Sequence, residues 1–139
     1  MKRRASLMAI MLGSFLLPTV SVLAEVKFNV PFDFTVGKVS LPAGSYSVSR
    51  IGSIQTHLQL TRNDGKEGTI ERINYVELNR GEVSEASKLI FHRYGDQYFL
   101  AQFWNLGSTT GYELPRSKAE REIGRNVAQP KTEILRAGQ

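Results

Sequence analysis

Two histidines, His57 and His92, are the natural candidates for a metal ligand or a general base. They stand far apart on separate segments, and neither belongs to an HxH or HExxH spacing. His57 lies between Gln55 and Gln59 on a solvated face. His92 sits between Ile90 and Tyr94 and opposite Phe99, the setting of a hydrogen-bonded core residue. No shared metal site and no cofactor are expected. The chain also has no cysteine, which removes thiol nucleophiles, thiol redox chemistry and cysteine-ligated metals.

The run Gly107-Ser108-Thr109-Thr110-Gly111 has the composition of a phosphate cradle or a nucleophile elbow. A P-loop needs a lysine after its last glycine, and an elbow needs serine midway between glycines. The run has neither and reads as a polar loop. Asp64-Gly65 lacks the alternating carboxylates of a calcium loop. Asp33, Glu77 and Glu113 lie near apolar strand residues, yet nothing in their spacing pairs them for glycosidase chemistry. No catalytic residue is assigned, and the chain is read as a non-enzyme.

Two other groupings remain. Lys118, Arg121 and Arg125 follow spacings of three and four, so on a helix they share one face and form a basic ridge, partly neutralised by Glu122. Such a ridge is either a solvated face or a docking surface for a partner protein or an anionic envelope polymer. Phe91, Tyr94, Tyr98, Phe99, Phe103 and Trp104 crowd into one short stretch. They form either a core cluster or, if a sheet closes into a barrel, the lining of an apolar ligand cavity with Arg93 at its mouth, opposite Tyr98 and near Trp104.

The elements that position these residues are mostly strands. Phe28, Val30, Phe32, Phe34 and Val36 alternate with polar residues at the period of a half-buried strand, and Pro31 marks an edge or a break. Leu41-Pro42-Ala43-Gly44 reads as a turn, and Tyr46 and Val48 begin the next strand. Ile54 to Thr61 points Leu58 and Leu60 inward, and Asn63-Asp64-Gly65 turns the chain. Thr69 to Leu78 follows as a single strand, with a bulge suggested at Tyr75-Val76. Gly81 to Ser87 is a loop.

Lys88 to Tyr94 and Gln97 to Trp104 flank Gly95-Asp96, a two-residue hairpin turn. Folding there pairs Arg93 with Tyr98, His92 with Phe99, Phe91 with Leu100, Ile90 with Ala101 and Leu89 with Gln102. Both faces are apolar, so the hairpin is central and covered on each side. Ser117 with Glu120 forms a capping box that opens a helix from Lys118 to Val127. Its apolar stripe is Ala119, Ile123 and Val127, and Gly124 weakens it. The chain from Gln129 reads as a flexible tail.

Lys2, Arg3 and Arg4 precede an apolar run that ends in Val22-Leu23-Ala24, the layout of a secretory signal peptide cut between Ala24 and Glu25. The run from Ala5 to Leu17 is short of the roughly 20 residues a span requires, and Pro18 and Thr19 interrupt it. Export to the periplasm or the medium is expected, with no stable membrane span after cleavage. The whole chain carries +5 from 18 basic and 13 acidic residues. Removal of three basic residues leaves 15 against 13, so nucleic acid is not an expected partner.

The motifs Asn29-Val30-Pro31-Phe32-Asp33-Phe34, Leu41-Pro42-Ala43-Gly44-x-Tyr46-x-Val48, Phe91-His92-Arg93-Tyr94-Gly95 and Leu114-Pro115-x-Ser117-x-Ala119-Glu120-Arg121-Glu122 occur in that order. With them the chain resembles a family of small, uncharacterised exported proteins from acidobacteria. The resemblance implies export and a small β-rich domain, and it assigns no activity.

These readings combine into an all-β protein. Residues 1–24 are a signal peptide, 25–128 one domain of about seven antiparallel strands with a C-terminal helix, and 129–139 a tail. The domain is a sandwich or a small barrel. The expected function is non-catalytic, by binding or in an envelope-associated structural role. A carrier of apolar small molecules is the alternative, and a hydrolase with an unrecognised site the weaker one.

Overall fold

The computed structural model describes residues 25–52, 56–78, 82–127 and 129–138. The signal sequence with Ala24, the start of the expected strand at Ile54, and Gly81 lie outside the described residues. Two sheets face each other without closing into a barrel. The first has the order β1 (Val26–Val30), β4 (Gly44–Ile51), β5 (His57–Arg62), β6 (Gly68–Arg72), all antiparallel. The second has the order β11 (Lys131–Arg136), β8 (Lys88–Tyr94), β9 (Gln97–Trp104), β10 (Thr110–Glu113), β7 (Asn74–Glu77). Two short strands complete it: β2 (Phe34–Val36) runs parallel to β9 at Thr35, and β3 (Val39–Leu41) pairs with β2. One helix, α1 (Lys118–Asn126), joins β10 to β11.

The alternation in the sequence sets the core. Phe28, Val30, Tyr46, Val48, Leu58 and Leu60 project from the first sheet and are almost fully buried. Phe34, Val36, Leu89, Phe91, Leu100 and Phe103 meet them from the second. Ring edges meet ring faces across the layers, as in Phe28 on Phe103 and Phe34 on Tyr46. Aromatic pairs favour this geometry because each ring carries a positive edge and a negative face.

The strand expected from Phe28 to Val36 divides at Pro31, and its two halves enter different sheets. Proline has no N–H for the ladder, so the chain leaves the first sheet there. Asp33 holds the crossing by accepting the Ala43 N–H at 2.9 Å. The strand expected from Thr69 to Leu78 is likewise two, split at buried Ile73. The adjacent Tyr75 and Val76 belong to β7 in the second sheet and mark no bulge.

The hairpin pairs as expected from Arg93 down to Phe91, and then a bulge shifts the register. Ile90 faces Gln102 instead of Ala101, and Leu89 faces Phe103 instead of Gln102. Leu100 and Phe103 are three apart, so both reach the core only if one extra residue intervenes. The expected tail is also corrected. Residues 131–136 form β11, which pairs with β8 from Lys131↔Arg93 to Arg136↔Lys88.

Candidate functional site

Helix α1 begins as its sequence directs. Ser117 caps it, its Oγ accepting the Glu120 N–H at 3.1 Å. The other half of the capping box does not form. The Glu120 carboxylate turns onto the outer face of the second sheet, where Glu120 is 4% exposed and is the buried residue of this helix. Its Oε1 meets His92 Nδ1 at 2.5 Å and accepts the Tyr94 hydroxyl at 3.2 Å, with Arg116 Nε 3.9 Å away.

The expected apolar stripe is not what holds the helix. Ala119 is exposed, Val127 is 51% exposed and Ile123 is half-buried. A polar latch anchors α1 in place of an apolar face. Burial pushes the Tyr94 phenol above the ordinary tyrosine range, and the adjoining Glu120 carboxylate adds to the rise while Arg116 opposes it.

A glutamate on a histidine nitrogen is also how hydrolases orient a general base. Among the described residues, however, no serine or threonine hydroxyl is hydrogen-bonded to His92. What the cluster does is fix a helix that has little apolar surface of its own.

Gly124 passes Tyr94 at a distance where an added Cβ would stand 3.7 Å from the hydroxyl, an ordinary contact. Gly124→Ala should therefore raise stability by about 0.5–1 kcal/mol through lower unfolded-state entropy and better helix propensity. Urea denaturation of the two proteins measures it.

The latch presents the basic ridge to solvent. Lys118, Arg121 and Arg125 are all exposed. Lys118 is 3.8 Å from Glu122, whereas Arg121 and Arg125 make no ion pair among the described residues. Other arginines are engaged: Arg62 with Asp64 and Glu67, and Arg93 with Glu133.

The hairpin aromatics lie in two layers. Phe91 and Phe103 are in the inter-sheet core, while Tyr94, Phe99 and Trp104 are buried on the opposite side of the same sheet. Tyr98 stacks on Phe32 at 3.8 Å between centroids. Arg93 lies over the Tyr98 ring at 5.3 Å and donates to the Gly95 carbonyl and to Glu133. It is not near Trp104, which pairs with Lys88 at the open end of the hairpin. Open clefts do border Tyr94 and Arg93 (260 Å³) and Tyr98 (250 Å³). A larger one of 490 Å³ is lined by Val83, Ser84, Lys88, Arg136 and their neighbours. Phe91, Phe99, Phe103 and Trp104 line none of these clefts. Among the described residues the sheets do not close into the barrel that the carrier reading assumed.

The remaining candidates are dispersed. His57 is in the first sheet beside Thr56, and His92 is in the second. Glu77 and Glu113 sit at opposite ends of the β7–β10 ladder, facing Thr110 and Asn74. Ser108 Oγ donates to the Thr110 carbonyl and accepts the Thr110 N–H, so that loop bonds to itself. Among the described residues no helix is long and apolar enough to cross a membrane.

The Glu120–His92–Tyr94 contact is the feature that sequence reasoning missed. His92 and Tyr94 share one face of a strand, and Glu120 begins a helix poor in apolar residues. That combination was the available signal. No protein-family model, no curated protein and no solved structure matches the chain.

Proposed function

We propose that this chain is an exported, non-catalytic domain that works in the periplasm or the medium by binding an anionic envelope polymer through α1. Residues 1–24 serve as the signal peptide, and the kinship with small exported acidobacterial proteins belongs to the same reading. The observation that carries the binding role is the pair Arg121 and Arg125, exposed and unpaired among the described residues. The helix that bears them is fastened by buried Glu120. Guanidinium groups left free on a fixed helix are arranged to meet carboxylate or phosphate oxygens, which they bind in bidentate fashion.

The test is co-sedimentation of the secreted protein with purified peptidoglycan sacculi and with lipopolysaccharide. Retention that falls with added salt and is lost in Arg121→Glu/Arg125→Glu supports the proposal. Retention unchanged in the double variant, or no retention of either protein, overturns it. The mass of the secreted chain tests processing, which should leave Glu25 at the N-terminus.

A further inference from the structure

We infer that β6 is a pairing edge, and that its occupant is β6 of a second copy, related by a two-fold axis through Ile70. The first sheet ends at β6, and among the described residues no strand pairs with its far side. Other edges carry the features that discourage strand addition. β1 carries Lys27 and stops short of Pro31. β11 follows Pro130 and opens on Lys131. β7 and β3 are only four and three residues long. β6 reads Gly-Thr-Ile-Glu-Arg, with neither proline nor lysine, and Ile70 at its centre is 52% exposed.

The hydrogen-bond phase of the strand defines the symmetry. The Ile73 N–H donates to the Thr56 carbonyl, and the Arg62 N–H donates to the Glu67 carbonyl. These bonds bracket the β5–β6 ladder, whose register sets Leu58 against Glu71 and Leu60 against Thr69. Because backbone groups alternate sides along a strand, Thr69 and Glu71 face β5, and Ile70 and Arg72 aim their N–H and C=O away from it. An antiparallel copy centred on Ile70 then makes Ile70 the bonded pair on the axis, where each residue exchanges both bonds with its mate.

The side chains suit that register. Arg72 meets Gly68 of the second copy, which has no side chain to obstruct it. Thr69 meets Glu71, a hydroxyl against a carboxylate, and within one chain these two already approach to 3.5 Å. No like charges stand directly opposite, an arrangement that would oppose pairing. The two Ile70 side chains cover each other on the outer face of the joined sheet. A five-residue edge buries little surface, so the dimer is weak and concentration-dependent.

Sedimentation equilibrium of the purified protein, with amide exchange followed by NMR, tests this. The expected result is a reversible monomer–dimer equilibrium. The Ile70 and Arg72 amides should gain protection as concentration rises, while Thr69 and Glu71 stay protected throughout. Ile70→Lys keeps the backbone and removes the apolar contact. Ile70→Pro deletes an outward N–H that β5 does not use. Both should leave a folded monomer by circular dichroism. A chain monomeric up to about 1 mM overturns the inference. So does a dimer that survives both substitutions or shows no new protection at Ile70 and Arg72.

Discussion

Replacing Glu120 with alanine is expected to cost about 2–4 kcal/mol, because it removes the acceptor for two groups at once and leaves them under a helix. The Tyr94 hydroxyl, on a residue only 5% exposed, loses its carboxylate partner, as does His92 Nδ1. Unpaired buried polar groups cost more than the net value of the bonds that held them. No compensating apolar face exists, since Ala119 and Val127 already face water. The helix should therefore loosen before the sheets do. Hydrogen exchange reads this directly: α1 amides should lose protection while β8 and β9 keep theirs.

Glu120→Gln retains an acceptor and should cost about half as much. Tyr94 supplies a second readout. Its raised value means that the folded phenol holds its proton after the unfolded one has lost it. The associated stability is whole below the ordinary tyrosine value of about 10 and drains away as pH rises through the folded value. In Glu120→Gln burial still raises the phenol, but the carboxylate's share is gone. The tyrosine should then titrate at lower pH, and the alkaline loss of stability should be shallower. Equal alkaline curves for the two proteins would argue that Glu120 does not touch Tyr94.

Gly111→Val is the second large effect, expected to destabilise by about 3 kcal/mol or more as overpacking against a rigid ring. A Cβ at Gly111 would overlap Trp104 carbons Cε2, Cδ2 and Cζ2. Trp104 is 3% exposed and faces Gly111 directly across the β9–β10 pair, so it has no free space into which to retreat. Either β10 separates from β9 or the indole leaves its site. Trp104 is the one tryptophan in the chain, so its fluorescence reports which. A red-shifted emission together with a lowered melting temperature is expected. Unchanged emission and stability would contradict the close approach of strand and ring.

What could be read beforehand follows burial. Phe28 and Val30, and Leu58 and Leu60, stand on strands with one covered face, and there period two is unambiguous. Ser117 is as legible, because a serine before a polar helix has one dominant use. β11 was hidden for the opposite reason. Its half-exposed sequence Lys-Thr-Glu-Ile-Leu-Arg sets charges beside its two apolar residues, so its pairing with β8 leaves little periodic trace. The bulge at Ile90–Phe91 depends on which residues must reach the core, a tertiary demand that local pattern does not encode.

The same distinction holds at the candidate site. Spacings of three and four were enough to place Lys118, Arg121 and Arg125 together on the exposed side of the helix. Glu120 could serve either its own helix end or a neighbouring strand, and only the proximity of His92 and Tyr94 selects the second. Arg93 and Trp104 look close in a crowded segment. A two-residue turn places one beside the bend and the other at the far end, and that separates them.

The two crossings at Pro31 and Ile73 have a kinetic consequence. Each hands one continuous run of chain from the first sheet to the second, so β1 and β2 form with different neighbours, as do β6 and β7. β2 must wait for β9, where Thr35 meets Phe99, and β7 must wait for β10. Neither sheet can be completed from a single stretch of sequence. The entropy of closing these long loops is spent before the pairing repays it, which places the protein among the slow, high-contact-order folders. During that interval β6 is already an open edge, so the strand inferred to join two finished molecules is also the one most exposed to premature association between unfinished ones.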